Sequence, residues 1–394
     1  MPDQREYDLV LFGATGYTGG LTAEYLARNA PAGCRWALAG RNPEKLEAVR
    51  ARLAAIDPAL DSLPLLHADV GDAASLAEVA RSSRVVITTV GPYIEYGEPL
   101  VAACAEAGTD YVDLTGEPEF VDLMYVRYHE QAVRSGARIV HACGFDSIPH
   151  DLGARFTVLQ LPEDVPLRVK GMLRAGGTWS GGTFHSALTA ISRGRQMKQA
   201  SAARRKVEPR PAGRKARAVA RPPHRDRDQG FWLVPLPTVD PLVVKRSAAA
   251  LDRYGPDFEY AHYAAVKRLP VVAGGIAGVG TLAVAAQVPP LRKLMMRMVP
   301  QGQGPSEERR ERSWFSMQFV GEGGGRRVVT EVAGGDPGYG ETSKMLAESA
   351  LSLAFDDNPE TSGNITTAVA MGQNLTDRLT KAGITFEVLS VESV

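Results

Sequence analysis

Over the first 150 residues the chain repeats one pattern. Short, predominantly apolar runs at 7–12, 35–40, 63–68, 84–90, 111–114 and 138–141 alternate with helically spaced stretches at 21–29, 43–56, 98–107 and 119–135, with a further helix start near Ala73. A short apolar run with no polar alternation is a strand buried on both faces, and such strands alternating with helices form a doubly wound parallel sheet. The expectation is an α/β chain whose first domain, 1–145, is of Rossmann type. Ligands in such sheets lie beyond the carboxyl ends of the strands. Chemistry is therefore expected in the loops at 13–19, Arg41, Asp69, 91–93, 115–118 and 143–150.

The pattern changes after residue 145. A strand at 167–174 leads to glycines at 176–177 and a turn at 179–183, then to a helix at 184–193 with His185 and Ser186 at its start. Residues 231–237 are apolar, aromatic and proline-stiffened, so they read as extended chain. Tyr254, Phe258, Tyr260, His262 and Tyr263 either line an apolar cavity or belong to the core. Alternating runs at 314–322 and 326–333, joined by glycines 323–325, read as a hairpin; a helix at 341–354 and a strand at 383–388 follow. Residues 146–394 are thus expected to form a second α+β domain with a mixed or antiparallel sheet, for substrate binding and homodimer contact, its C-terminal part free to pack back on the first domain.

Length and charge sharpen this picture. A chain of 394 residues is long enough for two cores. Its 45 basic and 45 acidic residues leave no global field for nucleic acid. Three cysteines without a Cys-x-x-Cys pair, and a polar N-terminus, point to the reducing cytoplasm, and no ligand spacing suggests a metal. Two segments stand out. Residues 203–228 are basic and read as a mobile loop, either a landing site for coenzyme A or an acyl carrier, or a solvated insertion. Residues 269–291 carry no charge and read as an interfacial or substrate-entrance helix, a buried helix, or a membrane span, with peripheral membrane association following from the first.

The sharpest chemical signal is the turn Gly13-Ala14-Thr15-Gly16-Tyr17-Thr18-Gly19 between the first strand and helix. A strand that breaks into a helix presents unpaired N–H groups and the positive end of the helix dipole, which together hold a pyrophosphate. Thr15 and Thr18 add hydroxyl donors. Arg41 ends the second strand where a dinucleotide's ribose lies; an arginine there, with no acid, favours a 2′-phosphate and hence NADP, unless it merely caps the strand. Asp69 either reaches the adenine edge or caps the next helix.

With GATGYTG at 13–19, AGRN at 39–42, TTVGPY at 88–93, DLTGE at 113–117 and CGFDSIPHDLG at 143–153, the chain resembles the saccharopine dehydrogenase-like oxidoreductases, most closely their actinobacterial trans-acting enoyl reductase branch. The resemblance implies an NADP domain, a second domain with the substrate cavity, and hydride transfer without a metal. It assigns Gly13, Thr15, Gly16, Thr18 and Gly19 to the phosphates, Arg41 to the 2′-phosphate, and Gly91, Pro92 and Tyr93 to the nicotinamide; Tyr17, Asp69, Gly116 and Glu117, in the same strand-end loops, are further cofactor-binding candidates. Candidate proton donors are Tyr93 first, then Asp146 and His150, with Tyr96 and Glu117 nearby. The expected reaction is NADPH-dependent reduction of an enoyl group on a lipid or polyketide chain, free or carried on coenzyme A or a carrier protein. Saccharopine-like imine chemistry is the competing enzyme reading, weakened because no basic set for amino-acid carboxylates is found. A non-catalytic, lipid-associated NADP sensor is the competing reading of another class.

Overall fold

The structure is a computed structural model that describes residues 5–176, 188, 192–288, 290–292, 295 and 304–394. The first sheet is built from β1 (Tyr7–Phe12), β2 (Trp36–Gly40), β3 (Leu65–His67), β4 (Ser83–Thr88), β5 (Asp110–Val112) and β6 (Arg138–Val140). Its order is β14-β6-β5-β4-β1-β2-β3, where the edge strand β14 (Gly363–Ile365) comes from near the C-terminus. All neighbours are parallel. Leu9, Leu11, Val85 and Ile87 are fully buried in it, each contributing about 1.5–3 kcal/mol of hydrophobic burial.

Helices α1 (Tyr17–Asn29), α2 (Pro43–Ala54), α3 (Ala73–Ser82), α4 (Tyr93–Tyr96), α5 (Glu98–Ala107), α6 (Pro118–Ser135) and α7 (Ile148–Val158) connect the strands and lead out of the sheet. The first helix begins at Tyr17 rather than at residue 21. Gly19 and Gly20 are buried inside its first turns, where the lack of side chains lets the helix lie close against the strand-end turn.

The second sheet has the order β15-β13-β12-β7-β11-β10-β9, with β8 also on β11. Its strands are β7 (Leu167–Gly176), β8 (Lys215–Val219), β9 (His224–Arg225), β10 (Trp232–Pro235), β11 (Asp257–Val266), β12 (Trp314–Gly323), β13 (Arg326–Gly334) and β15 (Thr385–Ser393). β11 runs parallel to β7 and β8, and the remaining pairs are antiparallel, so the sheet is mixed. The hairpin turns on two residues, Gly324 (φ 56°) and Gly325 (φ 73°), while Gly323 pairs with Arg326. Positive φ at both positions suits the strand twist and requires glycine.

Helices α8 (Gly194–Val207), α9 (Asp240–Ala250), α10 (Leu269–Ala286), α11 (Glu307–Glu311), α12 (Gly340–Phe355), α13 (Thr367–Ala370) and α14 (Gly372–Lys381) complete the chain. α7 lies between the sheets: a Cβ at Gly153 would come within 2.3 Å of the Phe319 ring on β12. α12 returns to the first domain, where Ser343 donates to the Thr18 carbonyl and the Tyr25 hydroxyl bonds Glu348.

The segment 203–228, read from sequence as a mobile loop, is folded as the end of α8 followed by β8 and β9. Four of its cations are matched by carboxylates remote in sequence. Arg204, 2% exposed, pairs with Asp122 on α6, and Arg214, Arg217 and Arg221 pair with Asp252, Asp257 and Glu259. In 269–291 the structure shows α10, with Leu269, Val271, Val288 and Leu291 exposed. Among the described residues no helix is long and apolar enough to cross a membrane. The expected 179–183 turn, His185 and Ser186 lie outside the described residues.

Candidate active site

Parallel strands bring their carboxyl ends to one edge, so the loops after β1, β2, β3, β4, β5 and β6 share it. At the first, Gly16 caps α1 without any side-chain hydrogen bond, leaving the N–H groups of the first turn without intrahelical acceptors. The glycines divide the work. Gly13 sits at φ 100°, and a Cβ on Gly19 would fall 2.2 Å from the Gly13 carbonyl oxygen, so these two close the turn on itself. A Cβ on Gly16 would meet nothing nearer than 3.5 Å, so the outer face of the turn is open at Gly16, the kind of helix start an anion fits. Thr15 is exposed and Thr18 partly so. The Tyr17 ring packs edge-on against Tyr339 at 4.8 Å and its hydroxyl donates to the Pro305 carbonyl, so Tyr17 walls the turn.

Arg41 follows β2, is exposed, and has no ion-pair partner among the described residues. Its neighbour Asn42 caps α2 by accepting from Lys45 N–H. Asp69 accepts from Gly71 N–H, while the cap of α3 is Asp72, which accepts from Ala74 N–H. Capping therefore falls to Asp72, and the Asp69 side chain shapes its own turn. An arginine without an ion-pair partner among the described residues and the uncapped start of α1 thus follow adjacent strands of one sheet edge, a donor set that fits the phosphates of NADP.

Beyond β4, the Gly91–Pro92 peptide is cis and Tyr93 starts α4. Tyr93 is buried; its hydroxyl donates to the Thr88 carbonyl (3.1 Å) and accepts from Leu114 N–H (3.1 Å). Burial pushes its phenol well above the ordinary value. With its proton committed to a carbonyl, Tyr93 acts as a wall that ties β4 to β5. Glu117 accepts from the backbone N–H groups of Tyr93 and Ile94, fixing α4 against the loop after β5. Tyr96 is 42% exposed at the far end of α4.

A residue that the sequence did not single out holds the next two loops together. Asp113, fully buried, accepts from the N–H groups of Thr115 and Ala142, from the Tyr111 hydroxyl, and meets His141 Nδ1 at 2.7 Å. Ala142 is held at φ 59° there. The sequence clue was the pairing of Asp113 with His141 at corresponding positions after adjacent strands.

The 143–147 loop is pinned by α12, from which Thr342 accepts from Phe145 N–H, and packs against the loop after β5, where a Cβ on Gly144 would strike Leu114 at 2.6 Å. Asp146 projects from it and is partly exposed; its carboxylate lies so close to Gly116 that a Cβ there would be 3.2 Å from Oδ2. Desolvation raises its pKa to about 6. Among the described residues its carboxylate has no hydrogen-bond partner. His150 lies deeper, on α7, and is buried. It meets Asp240 at 3.1 Å, and its ring stands edge-on to His262 at 4.9 Å. Burial holds both imidazoles below their usual range, His262 at about 3, and pushes the Asp240 carboxyl well above its own. Asp240 and His262 were not anticipated as site residues, although period-two alternation on a strand puts Tyr260 and His262 on one face.

A family model described as the saccharopine dehydrogenase NADP binding domain matches residues 9–140. Several mycobacterial proteins are similar over nearly the whole chain. One, from Mycobacterium tuberculosis and provisionally named a trans-acting enoyl reductase, is 39% identical over 421 aligned positions, covering 99% of each chain. The trans-acting enoyl reductase of Mycobacterium ulcerans is 36% identical over 420 positions and 97% of each chain. Another of that name from Mycobacterium tuberculosis is 36% identical over 97% of this chain and 98% of its own. Among solved structures, the apo saccharopine dehydrogenase (L-Glu forming) of Saccharomyces cerevisiae shares the fold with a TM-score of 0.54 at 13% identity, covering 98% of this chain and 99% of that one.

Proposed function

We propose, for a chain that belongs to the trans-acting enoyl reductase family and carries a saccharopine dehydrogenase-type NADP-binding domain, that it reduces the C=C bond of an enoyl group on a lipid or polyketide acyl chain with NADPH. The residues to hold the cofactor are the first-turn N–H groups of α1 over Gly16 for the pyrophosphate, Arg41 for the 2′-phosphate, and Gly91, Pro92 and Tyr93 beside the nicotinamide. Bound there, NADPH supplies the hydride. The protein must then polarise the enoyl carbonyl and deliver a proton to the α-carbon.

Asp146 is the group best suited to that proton, and the observation that carries the reading is its carboxylate standing against Gly116 at the strand-end edge without a hydrogen-bond partner among the described residues. Held near 6, it is a mild acid close to working pH. Tyr93 shapes the site and does not supply the proton.

The apolar second half supports a long-chain substrate. α10, with valine and leucine exposed and Lys267, Arg268 and Arg292 at its ends, suits a lipid boundary where the chain enters. Arg205, Lys206 and Arg210, exposed at the end of α8, suit contact with a phosphate-bearing carrier. β15 is an edge strand with Val388, Leu389 and Val391 exposed, as a homodimer contact requires.

The deciding experiment incubates the protein with deuterated NADPH and, separately, an enoyl thioester, a free enone lipid and an imine formed from an amino acid, then locates deuterium in the product by mass spectrometry. Label at the β-carbon of an acyl chain supports the proposal. Label only in the imine product overturns it.

A further inference from the structure

Three side chains from different elements meet beneath the strand-end edge: His150 on α7, Asp240 on the first turn of α9, and His262 on β11. One ligand atom from each lies within 4.8 Å of the other two. His150 Nδ1 is 3.1 Å from one carboxylate oxygen of Asp240, and His262 Nε2 is 3.6 Å from the other. The residues are 1%, 2% and 3% exposed.

The shorter contact is within hydrogen-bond reach but is not aligned as one, and the longer lies beyond it. By strict geometry His150 Nδ1 and Nε2, Asp240 Oδ1 and His262 Nε2 are all buried without a hydrogen-bond partner, although the Thr238 and Ser147 hydroxyls stand near the Asp240 carboxylate and the Phe145 backbone near His150. Leaving a buried polar atom unpaired forfeits its hydration with nothing in return. Here such atoms are gathered in one place, and no arginine or lysine pairs with the carboxylate among the described residues.

We propose that His150, Asp240 and His262 bind a first-row divalent cation of the zinc type. Two imidazoles and a carboxylate are the donor set such ions take, and imidazole disfavours magnesium and calcium. Donors around a tetrahedral zinc, about 2.0–2.1 Å from it, stand about 3.3 Å from one another. His150 already stands near that spacing from Asp240 Oδ1, and His262, which faces the other carboxylate oxygen, comes in by small ring rotations. The rings already stand at 76° to each other, as ligands to one ion can. His262 Nδ1 faces the Tyr260 hydroxyl at 3.3 Å, which holds the ring with Nε2 toward the site, the outer support that metal-binding histidines use. Three protein donors leave a fourth position for water or a substrate oxygen. Positions 150, 240 and 262 are too far apart for any ligand spacing to be visible in the sequence.

The test uses the full chain without an affinity tag. Elemental mass spectrometry of protein purified without chelator is expected to find stoichiometric metal, and cobalt(II) added to the stripped protein is expected to give the intense visible bands of a tetrahedral site. His262→Gln and Asp240→Asn should abolish both signals, His67→Gln, on the exposed end of β3, should keep them, and Tyr260→Phe should weaken cobalt binding roughly 10–100-fold. NADPH titration of each variant identifies those that fold. Wild type that neither carries metal nor gives the cobalt bands overturns the proposal, as does undiminished metal in folded His262→Gln. Either result leaves the enoyl reading to its own labelling experiment.

Discussion

Arg41→Ala isolates the contact expected to choose NADP over NAD. The side chain is exposed at the end of β2, no carboxylate pairs with it among the described residues, and the adjacent helix cap is made by Asn42. Its removal should therefore leave folding unchanged. A hydrogen bond from a charged donor to phosphate is worth about 1.5–3 kcal/mol. Because the site is open to water, we take the lower half of that range, and with tenfold per 1.4 kcal/mol the expected loss is about 10–50-fold in NADPH affinity. NADH has no 2′-phosphate and should bind both proteins equally. Arg41→Lys keeps the charge without the planar fork and should fall between. Fluorescence titration with both dinucleotides at two salt concentrations is the assay, the difference between proteins shrinking as salt screens it. A parallel loss of NADPH and NADH would refute the assignment, because it would mean that the arginine supports the turn rather than the phosphate. No change in either would place the 2′-phosphate elsewhere.

The two glycines of the turn should behave differently. Gly16→Ala fits without collision and should fold normally while weakening NADPH, whereas Gly19→Ala drives a methyl into the Gly13 carbonyl and should cost about 1–3 kcal/mol of stability; chemical denaturation and NADPH titration separate the two. For Asp146, whose neighbours include Tyr93 and Asp240, the folded pKa of about 6 lies above the unfolded value of about 3.9. Folding thus favours its protonated form, a contribution present below about pH 4 and lost as pH rises through about 6. In chelator-treated protein, Asp146→Asn should match wild type at pH 4 and be more stable at pH 8 by denaturant midpoint, and it should remove the acid-dependent limb of turnover. Finally, Arg204→Ala strands the buried Asp122 carboxylate and should cost about 3–5 kcal/mol, while Arg204→Met with Asp122→Leu should recover most of it; a double-mutant cycle that showed no coupling would contradict the burial of the pair.

The parallel sheet was legible because strands buried on both faces must be apolar along their length, and β1 and β4 need nothing more than that to be seen. The strand-end loops followed from topology, and with them the positions of Gly16, Arg41, Tyr93 and Asp146. What the loops do with each side chain was not legible. Tyr93 looked like a donor by its place in the chain, but Leu114 N–H and the Thr88 carbonyl, which occupy its hydroxyl, are contacts of folding across β4 and β5. The basic segment misled for a related reason. A window of residues shows its cations, but the carboxylates that pair with them lie on α6, on β11 and in the turn before it. Composition reports charge and cannot report pairing.

The same limit explains why the nucleotide-binding half cannot be read as residues 9–140 alone, although a family model matches that stretch. Its sheet takes β14 from 363–365, and α12 lies against α1 and anchors the Asp146 loop through Thr342. Asp151 on α7 accepts from Thr367 and Ala368, so the helix carrying His150 is also tied to the returning chain. The second sheet supplies His262, and α9, packed between, supplies Asp240. The phosphate end of the site thus rests on contiguous sequence, which is why it was visible. The end where a proton or a metal would act is assembled only when the chain has crossed to the second sheet and come back. Its partners are separated by up to 217 residues, as in the bond from Ala368 to Asp151. Such contacts leave no local pattern, and this asymmetry makes the cofactor legible in the sequence and leaves the substrate chemistry to the fold.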